Sequence, residues 1–200
     1  MEFVKEFAIF LYKNDIIKFG NFTLSSGKQS TYYIDIRLLP SYPHQYRKII
    51  KNLQNLISEQ IGLEKFDSLA SVPTGGLVIA SSLAIEIVKP LIYVRKKQKE
   101  HGTSKLVEGK TTKGMEILMI DDVATTGESV VNALKILKEE GMSVKHAYVI
   151  INRKEGADKL LESEGVRLHQ ITDILEITDI LYKENLIDEQ MLQSVKNQVN

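Results

Sequence analysis

The 200-residue sequence contains no cysteine, and this absence excludes three kinds of chemistry. Disulfide bonds, thiolate metal sites and cysteine nucleophiles are all ruled out. A chain of this length can nevertheless bury a substantial core in one domain without disulfides. The lack of cysteine also agrees with a reducing compartment, so we expect a cytoplasmic protein.

An excess of charge of one sign and long apolar runs are also missing. Lysine plus arginine number 26 and aspartate plus glutamate number 26, so the formal net charge is zero. Because nucleic-acid binding depends on an extended basic surface, we expect no nucleic-acid partner. The longest apolar run is residues 7–12, far short of the roughly 20 residues that span a bilayer, so no membrane segment is expected.

No repeat, low-complexity tract or Pro/Gly/Ser-rich linker divides the chain, so residues 1–200 are predicted to form one domain. About the first 40 residues predict a helix and two short strands, 22–24 and 32–35, as a small α+β appendage. A helix is expected from about Tyr42 to Gly62. Strands 66–72, 91–94, 117–120 and 144–151 then alternate with helices 75–88 and 129–140. This alternation predicts an α/β fold with a mainly parallel sheet covered on both faces.

The most informative segment is an apolar strand that runs into an acidic pair and a loop of small residues. Residues 117–120 precede Asp121 and Asp122, and residues 125–129 read TTGES before a helix. Hydroxyls and backbone N–H groups at a helix N-terminus favour a phosphate, and carboxylates accept hydrogen bonds from vicinal hydroxyls or help to hold a metal. A ribose 5-phosphate offers both groups, a phosphate for the helix N-terminus and vicinal hydroxyls for the carboxylates. The residues alone leave open an alternative without a ligand, in which the loop is a structural N-cap and the acidic pair is merely solvated.

A basic segment, residues 95–105, is conspicuous in this neutral chain. It carries five Lys or Arg and one Glu, a local net charge of +4. Such runs are most often a solvated face, and nucleic-acid binding is a second alternative, which the lack of interleaved aromatic residues opposes. A polar loop containing Gly102 and Gly109 could instead close as a lid over a departing pyrophosphate.

These segments resemble a known family. The acidic pair followed by TTGES is similar to the ribose phosphate signature of type I phosphoribosyltransferases. Residues 93–109, with the patterns RKxxKxHG and LVEG, resemble the catalytic loop of orotate phosphoribosyltransferases. Residues 22–37 resemble the N-terminal signature of the same family, FxLxSGxxSxxYxDxR. The similarity runs from Phe19 to Arg153 and therefore covers most of the chain.

The resemblance implies an enzyme that transfers the phosphoribosyl group from phosphoribosyl pyrophosphate (PRPP) to orotate. The products are orotidine 5′-monophosphate and pyrophosphate, in pyrimidine (UMP) biosynthesis. It further implies a type I phosphoribosyltransferase fold with an N-terminal hood, Mg²⁺ bound mainly through substrate oxygens with no metal ligand assigned to the protein, and a homodimer with shared active sites. Two alternatives stay open: a noncatalytic PRPP-sensing regulator on the same fold, and transfer to a base other than orotate.

The family motifs imply roles for individual residues. Lys99 and His101 of the basic loop and Asp122 are the implied catalytic residues. Thr125 and Arg153 are implied to contact orotate, whose carboxylate a guanidinium can hold through two parallel hydrogen bonds. Considered alone, Arg153 is expected to be a surface arginine near Glu155. The residues implied to bind PRPP are Arg95, Lys96, Lys99, His101, Asp121, Asp122, Val123, Ala124, Thr125, Thr126, Gly127, Glu128 and Ser129.

The sequence departs from the family pattern at two places. Many members carry lysine where Ser25 stands, so either Lys28 substitutes for it or that ligand contact is missing. The loop at residues 71–77 has Thr74 and Gly75 where other members have an aromatic residue and a lysine. Gly75 and Gly76 still permit a close approach of backbone to pyrophosphate.

Overall fold

The structure is a computed structural model that describes residues 2–23, 27–95 and 105–199. Two short strands form an antiparallel hairpin near the N-terminus, and six further strands form the main sheet. Within the described ranges no helix is both long and apolar enough to cross a bilayer. The elements are α1 (Glu2–Lys13), β1 (Ile17–Thr23), β2 (Gln29–Ile34), a 3-10 helix (Ile36–Ser41), α2 (Pro43–Gln60), a 3-10 turn (Leu63–Lys65), β3 (Ser68–Ser71), α3 (Gly75–Ile87), β4 (Leu91–Val94), β5 (Val107–Glu108), β6 (Glu116–Ala124), α4 (Glu128–Glu139), β7 (Ser143–Asn152), α5 (Ala157–Ser163), β8 (Arg167–Asp173), α6 (Ile174–Lys183) and α7 (Glu189–Val199).

The main sheet has the strand order β5-β4-β3-β6-β7-β8. Neighbouring strands from β4 to β8 pair in parallel, and β5 adds a short antiparallel edge to β4. Parallel strands need crossover connections, which the helices between them provide. The predicted α/β class with a mainly parallel sheet and a small hood is therefore confirmed.

The two faces of the sheet bury separate apolar clusters, because side chains alternate along each strand. On β6, Leu118 and Ile120 join a cluster with residues of α1, α2, α3, α6 and α7. Ile117 and Met119, on the opposite face of the same strand, pack with residues of α4 and α5. All four are at most 1% exposed. Helices cover both faces, and this explains why residues 117–120 are apolar without alternation.

Several boundaries differ from the sequence prediction for identifiable reasons. The strand predicted at 117–120 continues to Ala124, because β7 is long enough to pair with Asp121, Val123 and Ala124. Backbone hydrogen bonding does not depend on side-chain polarity, so Asp121 and Asp122 lie in the strand rather than in a loop. β1 begins at Ile17, well before the predicted residue 22, and its pairing with β2 is interrupted by a register shift between Phe19 and Phe22.

The last strands carry a histidine pair. Nδ1 of His146 on β7 lies 3.0 Å from Nε2 of His169 on β8, so one ring donates to the other. The His169 ring stacks on Tyr148 with ring centroids 4.4 Å apart. Burial, with the neighbouring His146 and Arg167, lowers the pKa of His169 to about 4. Burial and the charge of Arg167 also lower the pKa of His146.

This pair predicts a loss of stability in mild acid. The unfolded chain takes up a proton at each histidine near pH 6.5, whereas the folded state resists protonation, so stability falls as the pH drops from 6.5 toward 4. Because the rings are partly exposed, we expect the free energy of unfolding to fall by only about 1 kcal/mol between pH 7 and pH 5. His169→Gln should flatten this dependence in thermal melts, whereas the exposed His44→Gln should not. Equal pH dependence in wild type and His169→Gln would contradict the prediction.

Candidate active site

Five parallel strands end at the same edge of the sheet, and the predicted site residues that the structure describes lie at or just after the ends of β3, β4, β6 and β7. β3 and β6 are neighbours, but the chain passes from β3 to β4 on one side before it returns to β6 on the other. Such a reversal in the order in which the chain adds strands to the sheet opens a crevice beyond the strand ends, where ligands bind in open α/β sheets. The loop after β3 and the loop after β6 face each other across this crevice.

A cleft of about 320 Å³ lies at this point. A second cleft of about 210 Å³ adjoins it and is partly lined by apolar residues, among them Ile36, Pro40, Val78 and Ile79. A polar compartment therefore lies next to a more apolar one. The larger cleft is lined by Arg37, Val72, Pro73, Thr74, Gly75, Asp121, Asp122, Val123 and Ser129.

The acidic pair is fixed by the backbone of its own strand. Asp122 N donates to Oδ1 of Asp121 at 2.9 Å, and Val123 N donates to Oδ1 of Asp122 at 3.0 Å. Both carboxylates are half-buried at the end of β6. Oriented in this way, they can accept hydrogen bonds from the hydroxyls of a ligand in the cleft.

Two glycines let the loop after β3 approach the acidic pair. A Cβ atom added to Gly75 would overlap the carboxylate of Asp122. One added to Gly76 would overlap the side chain of Asp121 and lie 2.9 Å from its Cα and 2.7 Å from Oγ of Ser71. The loop can therefore approach this closely only without side chains at these positions. The close approach seen here is to the acidic pair, and the approach to pyrophosphate stays a prediction.

The loop at residues 125–127 leads from β6 into α4, which begins at Glu128. Gly127 has a φ of +86°, a left-handed conformation that favours glycine. Thr125 O accepts from Ala157 N at 3.3 Å, so the start of α5 supports the loop from behind. Thr126, Glu128 and Ser129 are exposed. The N–H groups in the first turn of α4 lack intrahelical acceptors and can receive a phosphate.

Arg153 is buried against β2 of the hood, the N-terminal part of the chain up to about residue 40. It is therefore not the surface arginine that was expected. It is 6% exposed. Its Nε donates to the Tyr32 hydroxyl at 3.2 Å and to Oε1 of Glu155 at 2.9 Å, and its guanidinium lies 4.6 Å from the centre of the Tyr32 ring. Arg153 N donates to Ala124 O at 2.8 Å, and this bond places it beside the start of the 125–127 loop. The expected proximity of Arg153 to Glu155 is present.

The remaining predicted residues divide into two groups. Arg95 follows β4, pairs with Glu108 at 3.3 Å, and lines a depression of about 280 Å³ that also includes Val72 and Ser129. It therefore borders the main cleft. Lys96, Lys99 and His101, together with Ser25, lie outside the described residues, so their roles stay predictions.

Arg37 is a cleft residue that the sequence analysis did not assign. Its Nε donates to Oδ1 of Asp35 at 2.6 Å and its Nη2 to the Tyr33 hydroxyl at 3.2 Å. The hydrogen bond and the charge of Asp35 raise the pKa of Arg37 above its ordinary value. Arg37 lines both clefts. The signal was present in the YxDxR part of the N-terminal signature, where Asp35 and Arg37 are two residues apart.

Comparisons with known proteins agree with this geometry. A model of the family "Phosphoribosyl transferase domain" matches residues 41–180. The orotate phosphoribosyltransferase of Cenarchaeum symbiosum is 47% identical over 196 residues, which cover 98% of each chain. This chain belongs to the orotate phosphoribosyltransferase family.

Solved structures support the same placement within the orotate phosphoribosyltransferase family. The crystal structure of orotate phosphoribosyltransferase from Aeropyrum pernix has a TM-score of 0.78 and 37% identity, over 90% of this chain and 99% of that one. The structure of Leishmania donovani UMP synthase has a TM-score of 0.84 and 32% identity over 98% of this chain. It is a longer protein, of which the similarity covers 42%.

The surroundings of Gly75 and Gly76 predict that replacement by alanine destabilises the fold to different extents at the two positions. Gly76→Ala meets the backbone of Asp121, which cannot move alone, so it should destabilise the fold by about 1–3 kcal/mol. Gly75→Ala meets the end of the Asp122 side chain, which can rotate, so it should cost less stability while displacing that carboxylate. Thermal unfolding measures both. Equal melting temperatures for the two variants would contradict the rigid approach inferred here.

Proposed function

We propose that this chain transfers the phosphoribosyl group from PRPP to orotate, giving orotidine 5′-monophosphate and pyrophosphate. The observation that carries the proposal is the cleft between β3 and β6, where the acidic pair and the 125–129 loop meet the glycine loop at residues 73–76. A ribose 5-phosphate needs hydroxyl acceptors and a phosphate cradle next to each other, and this cleft has both. Membership of the orotate phosphoribosyltransferase family supports orotate as the acceptor.

The reaction exchanges one bond at ribose C1. The bond from C1 to the pyrophosphate oxygen breaks and its electron pair leaves with pyrophosphate. A ring nitrogen of orotate forms the new bond from the opposite face, and its N–H proton passes to water. Asp121 and Asp122 hold the ribose hydroxyls, and the first turn of α4 holds the 5-phosphate. Positive charge from Arg95, with Lys96, Lys99 and His101 of the basic loop, stabilises the departing pyrophosphate.

Mg²⁺ is the cofactor in this proposal. Among the described residues no group of three or more His, Cys, Asp or Glu side chains is placed to hold a metal ion. The carboxylates of Asp121 and Asp122 are oxygen donors, the kind that Mg²⁺ prefers, and they line the cleft where PRPP would lie. This donor set fits an ion held mainly by substrate oxygens. When bound, Mg²⁺ neutralises negative charge on the pyrophosphate.

Arg153 and Thr125 recognise orotate in this proposal. The guanidinium provides a cation for the orotate carboxylate, and a site with a buried cation disfavours uracil, which lacks the compensating anion. We propose that the enzyme acts in pyrimidine biosynthesis. We place it in the cytoplasm, which is the location expected for a cysteine-free chain. Neither a nucleic acid nor a membrane is required as a partner.

The deciding experiment follows orotate consumption by its ultraviolet absorbance, with PRPP and Mg²⁺, and with uracil, hypoxanthine and adenine as parallel acceptors. We expect turnover with orotate and none with the other bases, because only orotate carries the carboxylate that Arg153 would bind. Asp122→Asn should reduce turnover. Turnover with another base instead of orotate would remove orotate from the proposal. PRPP binding without turnover on any base would favour the noncatalytic PRPP-sensing regulator.

We also propose that the chain is a homodimer in which the loop at residues 95–109 serves the partner's site. The candidate interface is an apolar stripe on α3 and its C-cap, formed by Val78, Ile85 and Val88, which are 39%, 82% and 88% exposed. These residues recur at helical spacing on a face that solvent would normally keep polar. Val78 also lines the smaller cleft, so a copy seated on this stripe would border the site.

Sedimentation tests the proposed interface. Wild type should sediment at twice the chain mass of 22.6 kDa. Ile85→Asp should shift the protein toward monomer, because a carboxylate would be buried at the interface. Met191→Asp is the matched control, since Met191 is an exposed apolar residue on α7, a helix that packs mainly on α6 and β2. A dimer that survives Ile85→Asp would place the interface elsewhere.

A further inference from the structure

A buried carboxylate joins three distant parts of the chain under the hood. Glu155, two residues after Arg153, has a side chain only 4% exposed. Its Oε2 accepts from Nζ of Lys28 at 2.8 Å, and its Oε1 accepts from the Tyr32 hydroxyl at 3.1 Å. Nε2 of Gln198, near the end of α7, lies 3.5 Å from the same Oε1. The hood, the segment after β7 and the last helix therefore converge on one carboxylate.

The charges around Glu155 keep it ionised. Burial alone would raise the pKa of its carboxyl, but the hydrogen bond from Lys28 and the charges of Arg153 and Lys28 outweigh burial and lower the pKa. A buried carboxylate is costly unless it is paired in this way. Arg153 and Lys28 together carry two positive charges beside the one negative charge of Glu155.

The contacts of Arg153 are unevenly distributed over its guanidinium. Nε and Nη2 both lie 2.9 Å from Oε1 of Glu155, and Nη2 also donates to Oγ of Ser30 at 3.3 Å. Among the described residues no hydrogen bond from Nη1 is found. Glu155 therefore holds one edge of the planar group, and this fixes the direction in which the other nitrogen points.

We infer that Glu155 is a positioning residue for orotate recognition: it holds Arg153 by Nε and Nη2 so that Nη1 is presented to the substrate carboxylate. This inference rests on the proposed role of Arg153 in binding orotate. A flexible arginine side chain that is released from one partner loses orientation, and a misplaced binding group weakens the contact it should make. A purely structural Glu155 would affect folding and leave orotate affinity unchanged.

The test compares steady-state constants of the full-length enzyme. Glu155→Gln keeps the shape of the side chain and removes its charge, so it should raise the KM for orotate roughly tenfold, as expected for one weakened charge-assisted contact, while the KM for PRPP stays within about twofold. KM does not depend on the fraction of enzyme that is folded. Asp158→Asn is the matched control, because Asp158 contacts Asn152 and Lys154, and it should leave the KM for orotate unchanged.

A double-mutant cycle shows whether Glu155 acts through Arg153. In an Arg153→Ala background, Glu155→Gln should raise the KM for orotate no further. An unchanged or lowered KM in Glu155→Gln, an equal rise in the KM for PRPP, or a rise that persists in the Arg153→Ala background would overturn the inference. If Glu155→Gln does not fold, Glu155→Asp, which withdraws the carboxylate by one methylene, is judged by the same criteria.

The same measurements separate this inference from the proposed function. If wild type does not convert orotate, the proposed function fails. If wild type converts orotate and Arg153→Ala raises the KM for orotate, but Glu155→Gln does not, the function stands and only the positioning role of Glu155 fails.

Discussion

The central position of β6, paired in parallel with β3 on one side and β7 on the other, is the constraint on which the site depends. Because the three strands run in the same direction, their carboxyl ends and the loops that follow lie at one edge. The reversal of strand order between β3 and β6 then opens the crevice. If β6 were not a neighbour of β3, the acidic pair would have no glycine loop opposite it.

The glycine loop after β3 turns this crevice into a shaped site. Gly75 and Gly76 lie so close to Asp122 and Asp121 that any side chain would collide with them. Tight packing of this kind fixes the glycine loop relative to the end of β6, about 45 residues away in sequence. The carboxylates, held further by backbone N–H groups, are thereby oriented before any ligand arrives, which reduces the cost of binding.

The hood depends on a different kind of contact. β1 and β2 form their own small sheet, and polar and charged side chains tie the second of these strands to the segment after β7 and to α7. Tyr32 lies at the centre of this network, fully buried, between Arg153 and Glu155. A buried polar network is favourable only when its donors and acceptors find partners, and hydrogen bonds require particular directions. The network thus sets where the hood lies relative to the cleft.

Much of the architecture could be predicted from local patterns. The unbroken apolar run at residues 117–120 indicated a strand buried on both faces, and α3 and β4 begin where the sequence predicted. The extension of β6 through its acidic pair could not be predicted, because it depends on the length of β7 as a partner. The early start of β1 was also missed, since Gly20 and Asn21 weaken its pattern and its pairing is irregular.

The sequence by itself determined the alternation of elements, the acidic pair followed by a loop of small residues before a helix, and the resemblance that led to the family. These are local properties, recorded by spacing and residue type. Only the tertiary structure decided that Arg153 is buried against Ser30 and Tyr32, that Arg37 lines the cleft, and that Gln198 reaches the hood. Such contacts join residues up to 168 positions apart, and no local pattern specifies which distant side chain will face another.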